Sequence, residues 1–214
     1  MKKSLWATGL ALFSMIFLNA CFSTRVVSSW KSDGVTLREY NKVLIIGLMA
    51  AQERNLRENI ESRLVEAFSK QGVSAGSAYT EYGPKAFDNL DEQAALERIK
   101  GSGYDGAFTI ALLDKSKEKN YVPGSVSYRP YTYYNRFWGY FRTVYTRVYD
   151  PGYYTESTNY ILEANFYDLN EGKLEYSAQT KSFDPGTDQV LAYELSEALL
   201  ADMMKQGIVQ QMEN

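Results

Sequence analysis

Val43-Leu44-Ile45-Ile46-Gly47-Leu48-Met49 is an unbroken apolar run. A strand covered on both faces reads this way, because neither side alternates to polar residues. Downstream, residues 52–71 carry Leu56, Ile60, Leu64 and Phe68 at four-residue spacing, one face of a helix, and Gly72 stands where a C-cap belongs. Val73 to Tyr79 reads as a weaker strand, softened by Gly76. Asn89 and Glu92 have the spacing of an N-cap and its reciprocal N3 partner, opening a helix through Lys100 that buries Leu90, Leu96 and Ile99. Gly101-Ser102-Gly103 closes it, and Tyr104 to Leu113 is a third strand with an apolar centre.

After a long interruption, Thr155 to Leu169 alternates, with Tyr160, Leu162, Ala164 and Phe166 on one side. Asn170-Glu171-Gly172-Lys173 turns the chain into Leu174, Tyr176 and Ala178, again with period two, so a hairpin with one buried face is expected. Asp184-Pro185-Gly186-Thr187 breaks the chain, and a last helix from about Asp188 to Gln206 aligns Leu191, Leu195, Leu199 and Met203, with Gly207 as its stop. The order is β-α-β-α-β, insertion, β-β-α. That order describes a single α/β (α+β) domain over residues 40–210, with three helices on a mixed sheet of about five strands.

Composition narrows the function. The chain has 214 residues, 15 Gly, 5 Pro and one Cys, which excludes collagen-like and disulfide-framework classes. It has no His, which removes the commonest general base, the commonest zinc ligand and every Ser-His or Cys-His pair. A formal charge of -3 gives no basic footprint for nucleic acid over the whole chain.

At the amino terminus, Lys2 and Lys3 precede 14 residues, Leu5 to Leu18, that are largely apolar. This is short for a membrane span and right for the core of a signal peptide, residues 1–20. Leu18-Asn19-Ala20-Cys21 resembles a bacterial lipobox. The resemblance implies cleavage before Cys21, a diacylglycerol on its thiol, an acyl group on its new amino terminus, and lipid anchoring. Phe22 follows the cysteine, where an aspartate holds many such lipoproteins at the inner membrane, so the resemblance points to the outer membrane, facing the periplasm. Without residues 1–20 the chain has 21 basic and 26 acidic residues, a net of -5. Residues 21–39 are read as a tether, with Phe22 to roughly Ser29 either part of it or the start of a first strand.

Behind this lipobox, the element order and the VLIIGL strand with its two flanking helices resemble small periplasmic α/β lipoprotein domains similar to the TolB amino-terminal domain and the curli secretion channel subunit. Such families imply envelope assembly, export or scaffolding, and they assign no catalytic residue here. Gly72-Val73-Ser74-Ala75-Gly76 matches G-x-S-x-G, yet it follows a helix and opens a strand, the reverse of a nucleophile elbow. Gly101-Ser102-Gly103 also follows a helix, so no helix N-terminus faces a would-be phosphate. Asp168, Asn170 and Gly172 echo a calcium loop but miss its sixth- and twelfth-position register. Asp114, Glu156, Glu163 and Glu175 are strand carboxylates expected to be solvated outer-face residues, although a pair of carboxylates is all a glycosidase needs.

Tyr121 to Tyr154 is the unusual stretch. Its 34 residues hold ten Tyr, Phe137, Trp138 and Phe141, and four Arg against the lone acid Asp150, a local net of +3. Such a mixture suits a contact surface for protein, glycan or lipid headgroups. The candidate contact residues are Arg129, Tyr133, Tyr134, Arg136, Phe137 and Trp138, followed by Tyr140, Phe141, Arg142, Tyr145 and Arg147. Pro123, Pro130 and Pro151 speak against an uninterrupted hairpin, and two arrangements remain open: aromatics packed on the domain's own sheet, or an exposed surface. The expected function is a non-enzymatic binding or scaffold role in the envelope, without metal or cofactor and compatible with an oligomer. The competing reading is a lipid-anchored glycan hydrolase using paired carboxylates.

Overall fold

The computed structural model describes residues 23–85, 87, 91–135 and 140–209, with residues 38, 92, 127–135 and 140–148 described by backbone alone. Its elements are β1 (Thr24–Lys31), β2 (Val43–Leu48), α1 (Arg54–Lys70), β3 (Ala75–Ser77), α2 (Ala78–Tyr82), α3 (Glu92–Gly101) and β4 (Gly106–Val122). These are followed by β5 (Ser125–Asn135), β6 (Tyr140–Asp150), β7 (Tyr153–Asp168), β8 (Lys173–Phe183) and α4 (Asp188–Lys205). Six strands form one mixed sheet in the order β1-β8-β7-β4-β2-β3, and β5 pairs with β6 as a separate ribbon.

The apolar run at β2 is buried on both sides, as its pattern requires. Val43 and Ile45 join the main core with Leu56, Ile60, Leu64 and Phe68 of α1 and Leu191, Leu195, Leu199 and Met203 of α4. Leu44 and Ile46 face the opposite side with Ala78, Ile99, Tyr104 and Ala107. β2 lies parallel to β3 on one side and to β4 on the other, and β4, β7 and β8 continue as antiparallel neighbours. Aromatic edges lock the main core: Phe68 meets Phe108 at 5.2 Å and 74°, and Tyr40 meets Phe166 at 4.7 Å and 85°.

Several boundaries differ from the sequence reading. Residues 24–31 are a strand on the sheet edge, antiparallel to β8, which is one of the two arrangements the sequence left open for this stretch. The expected strand 73–79 is three residues long; Ser77 instead caps α2 by accepting from the Thr80 N–H at 3.1 Å. The N-cap of α3 is Asp91, which accepts from the Ala94 N–H at 2.7 Å; Asn89 and Leu90 lie outside the described residues. The sheet therefore has six strands rather than about five, and a short fourth helix, α2, is added to the three expected.

The third expected strand does not stop at Leu113. A bulge between Leu112 and Asp114 shifts the register against β7 by one, and β4 then runs on through Lys-Ser-Lys-Glu-Lys-Asn to Val122. The bulge swaps which residues face the helices. Lys115 lands on that side, 5.4 Å over the Tyr160 ring and bonded to both oxygens of Glu53 at 2.8 and 2.9 Å.

Because Leu199 is fully buried between α4 and the sheet, Leu199→Ala should cost about 2–5 kcal/mol through cavity formation. The measurement is the urea midpoint at unchanged slope.

Candidate functional site

The described residues of 121–154 are mostly paired strand. Pairing of β4 with β2 ends at Ala111, and pairing of β7 with β8 ends at Asn159. Beyond those points β4 and β7 pair only with each other, from Lys117↔Thr158 to Val122↔Tyr153. The ribbon then continues as β5 and β6, with Ser125↔Asp150 through Asn135↔Tyr140 in register. At strand rise this arm is about 60 Å long from Thr158 outward.

The prolines interrupt the arm without ending it. At the joint, Pro123-Gly124 lies against Pro151-Gly152, and a Cβ on Gly124 would stand 2.5 Å from the Asp150 carbonyl oxygen and 2.6 Å from the Gly152 nitrogen. Only glycine permits that backbone approach. Pro130, by contrast, sits inside β5 opposite Tyr145.

On the arm's described side chains, Tyr121, Tyr149, Tyr153 and Tyr154 are 57%, 65%, 59% and 71% exposed. Tyr121 and Tyr154 are cross-strand partners with ring centroids 5.0 Å apart. Of the expected contact residues, the register places Arg142 opposite Tyr133, Phe141 opposite Tyr134, and Tyr145 opposite Pro130. Arg129 and Tyr140 fall on β5 and β6, as does Arg147, which is opposite Tyr128. Arg136, Phe137 and Trp138 lie outside the described residues, as does Cys21.

The base of the arm is tied to the amino-terminal end of β1. The Phe183 N–H donates to the Ser23 carbonyl at 3.0 Å, and the Asp184 N–H donates to the Thr158 carbonyl at 2.8 Å. The Asp184 carboxylate accepts from the Thr158 N–H at 3.2 Å, while Asp184 itself sits at φ 45. Asp tolerates that left-handed conformation better than most residues. On α4, the buried carboxylate of Glu194 accepts from the Ser23 N–H at 3.0 Å, the Ser23 hydroxyl at 2.6 Å and the Thr24 hydroxyl at 3.0 Å. Burial pushes Glu194 upward, but the hydrogen bonds from Ser23 and Thr24 win, and its pKa is lowered. The sequence reading missed this clamp, since Glu194 follows no motif and its partners lie about 170 residues away.

The four strand carboxylates stand in different settings. Asp114 and Glu156 are exposed, and Glu156 pairs with Lys119 at 2.9 Å, which lowers its pKa. Glu163 accepts from the Asn165 amide at 2.9 Å. Glu175 departs from the expected solvated position; it is buried and pairs with Lys173 at 3.1 Å. The turn after β7 explains Asp168, whose carboxylate accepts from the Asn170 and Glu171 N–H groups at 2.7 and 2.8 Å. Among the described residues no group of three or more Asp, Glu or Cys is placed to hold a metal ion.

A cleft of about 380 Å³ opens beyond the end of β2, lined by Met49, Ala50, Arg54, Arg57, Tyr79 and Lys85 among others. Both of its arginines serve the fold. Arg54 bonds the Tyr79 hydroxyl, and Arg57 bonds the fully buried Glu61 at 3.0 Å. Glu61 also accepts from the Gly47 N–H at 2.8 Å, the Ser77 hydroxyl at 2.6 Å and the Tyr79 N–H at 2.7 Å. It thereby stitches β2, β3 and α2 to α1, and its charge is compensated as burial demands.

No protein-family model matches the chain, and no curated protein matches it. Several solved structures are similar in fold. A PelC dodecamer from Paraburkholderia phytofirmans is 10% identical, with 88% of this chain and 99% of that chain covered and a TM-score of 0.44. Lipoprotein GNA1162 from Neisseria meningitidis is 12% identical, with 77% and 98% covered and a TM-score of 0.40. A PDZ domain protein from Parabacteroides distasonis is 10% identical, with 94% and 40% covered and a TM-score of 0.38. These likenesses assign no role to any residue.

The Glu194 clamp makes a pH prediction. Its folded pKa lies below its unfolded value, so its contribution is complete above the ordinary carboxylate range and disappears as pH falls through the folded pKa. Glu194→Gln should cost about 1–3 kcal/mol near neutrality. It should also flatten the acid limb of stability against pH, read from urea midpoints over a pH series.

Proposed function

We propose that this chain is a lipid-anchored, non-enzymatic protein of the bacterial cell envelope, held at the outer membrane through Cys21, and that the arm of residues 121–154 is its contact element for binding or assembly. One observation carries the reading: β5 and β6 pair with each other outside the six-stranded sheet, and none of the arm's described side chains, those of 121–126 and 149–154, belongs to the two apolar clusters that the sheet and its helices close. A two-stranded ribbon of this length gains little stability by itself, and its open edges and tyrosines are what a partner would cover. The lipobox-like Leu18-Asn19-Ala20-Cys21 supports the anchor.

The non-enzymatic part rests on how the acids are used. Glu66, Asp105, Glu156 and Glu194 are the described carboxylates with displaced protonation, and all are held low. Hydrogen bonds from Lys70 and Arg63 hold Glu66 down. Burial raises Asp105, but bonds from the Lys42 and Asn41 backbone outweigh it. A hydrolytic acid needs the opposite displacement.

Replacing 121–154 by a short Gly-Ser linker between Asn120 and Thr155 should leave the thermal midpoint of the body nearly unchanged and abolish the protein's crosslinks in the envelope. Unfolding of the shortened chain would show instead that the arm belongs to the core. Cys21→Ser should release the protein from membranes, and mass spectrometry of the mature amino terminus should find an acylated Cys21.

A further inference from the structure

The arm leaves the body at the same end of the sheet as the amino terminus, and that coincidence names its partner. We infer that the arm lies in the headgroup layer of the bilayer that carries the anchor, with its tyrosines as the contact. The inference rests on anchoring at Cys21.

The geometry runs through three strands. Ser23 is bonded to Phe183, the last residue of β8, and the next residue, Asp184, is bonded through both backbone and side chain to Thr158 on β7. Two strand spacings, about 10 Å, separate the start of β1 from the arm's base. Cys21 stands two residues before Ser23, so its lipid-bearing residue is tied within about 7 Å of backbone reach. Glu194 holds Ser23 and Thr24 in place, which leaves no slack further along. The membrane surface is therefore drawn up to this end of the body.

The arm projects past the same end. Tyr154 lies four residues beyond Thr158, about 13 Å outward, with Tyr121 level with it in the register and Tyr153 one residue further out. The ribbon before the joint, about 17 Å from Thr158 to Tyr153, continues the sheet's own strands straight out of this end, toward the surface that the anchor draws up. The glycine–proline joint at 123–124 and 151–152 falls just past this tyrosine level, where the ribbon must turn along the surface.

Chemistry agrees with placement. Exposed tyrosines settle at the boundary between headgroups and acyl chains. Residues 121–154 carry +3 in a mature chain of net -5, so the arm is the part that anionic headgroups attract. The unpaired edges of β5 and β6 exclude the hydrocarbon interior, where no water satisfies them, and are tolerated among hydrated headgroups.

The test uses the full acylated chain in vesicles of phosphatidylethanolamine and phosphatidylglycerol. Cys21 is the sole cysteine and its thiol is consumed by the thioether to diacylglycerol, so one added cysteine takes a nitroxide label at a single site. Labels go on Tyr149→Cys and Tyr154→Cys in the arm, and on Asn170→Cys in the turn at the opposite end of the sheet, each in protein whose unfolding midpoint matches wild type. The expected result is that labels at 149 and 154 lose collisional relaxation by an aqueous nickel chelate while the label at 170 keeps it. Equal accessibility at all three positions, in protein that still floats with the vesicles, overturns the inference and leaves the anchor reading intact. Protein that does not float overturns the anchor at Cys21 and this inference with it. Protection that appears only at high protein-to-lipid ratio, with spin–spin broadening, gives the arm to a neighbouring copy and overturns it as well.

Discussion

The antiparallel ladder between β4 and β7 is the member on which both halves of the molecule depend. From Gly106↔Asp168 to Leu112↔Leu162 it is the centre of the sheet, with Phe108, Ile110, Ala164 and Phe166 under the helices. From Lys117↔Thr158 to Val122↔Tyr153 the same two strands are the shaft of the arm. A rigid core thus extends into the projection with no linker between them. The bulge at Leu113 marks the change of role, because it turns the charged half of β4 to new faces where the helices end.

That continuity sets the direction of the arm. Register in a ladder is fixed wherever one face is buried, since a slip by one residue would turn Phe108 and Phe166 out of the main core. The arm inherits its starting direction from this pinned segment. Glu194 does the same for β1, so the amino terminus and the arm leave a common end with defined geometry. A flexible tether before a globular body would have carried no such relation.

Much of the body was legible. Four-residue spacing marked both long helices, and every residue named on their faces, Leu56 to Phe68 and Leu191 to Met203, is buried. The β2 run was legible as two-sided because alternation was missing. Less was legible where pairing partners decide conformation. Ala75–Ser77 is a strand because β2 offers it a parallel edge, whereas Ala78–Tyr82 turns helical under the Ser77 cap. Residues 24–31 alternate poorly and become a strand because β8 presents an open edge to them. The aromatic stretch was legible in composition alone; its adjacent aromatics and prolines obscured the period that backbone pairing restores.

The sequence by itself determined the α/β class, the helical faces, the turn after β7 and the uncommon chemistry of residues 121–154, because those follow from local spacing and residue type. Tertiary structure decided the rest: the sixth strand, the run of β4 beyond Leu113, the buried partners of Glu61 and Glu194, and the shared exit of the amino-terminal strand and the arm. Each of these needs a hydrogen-bond partner far along the chain, such as Ser182 for Thr24 or Thr158 for Asp184. Local pattern says which groups seek a partner, and only the folded chain says which partner is within reach.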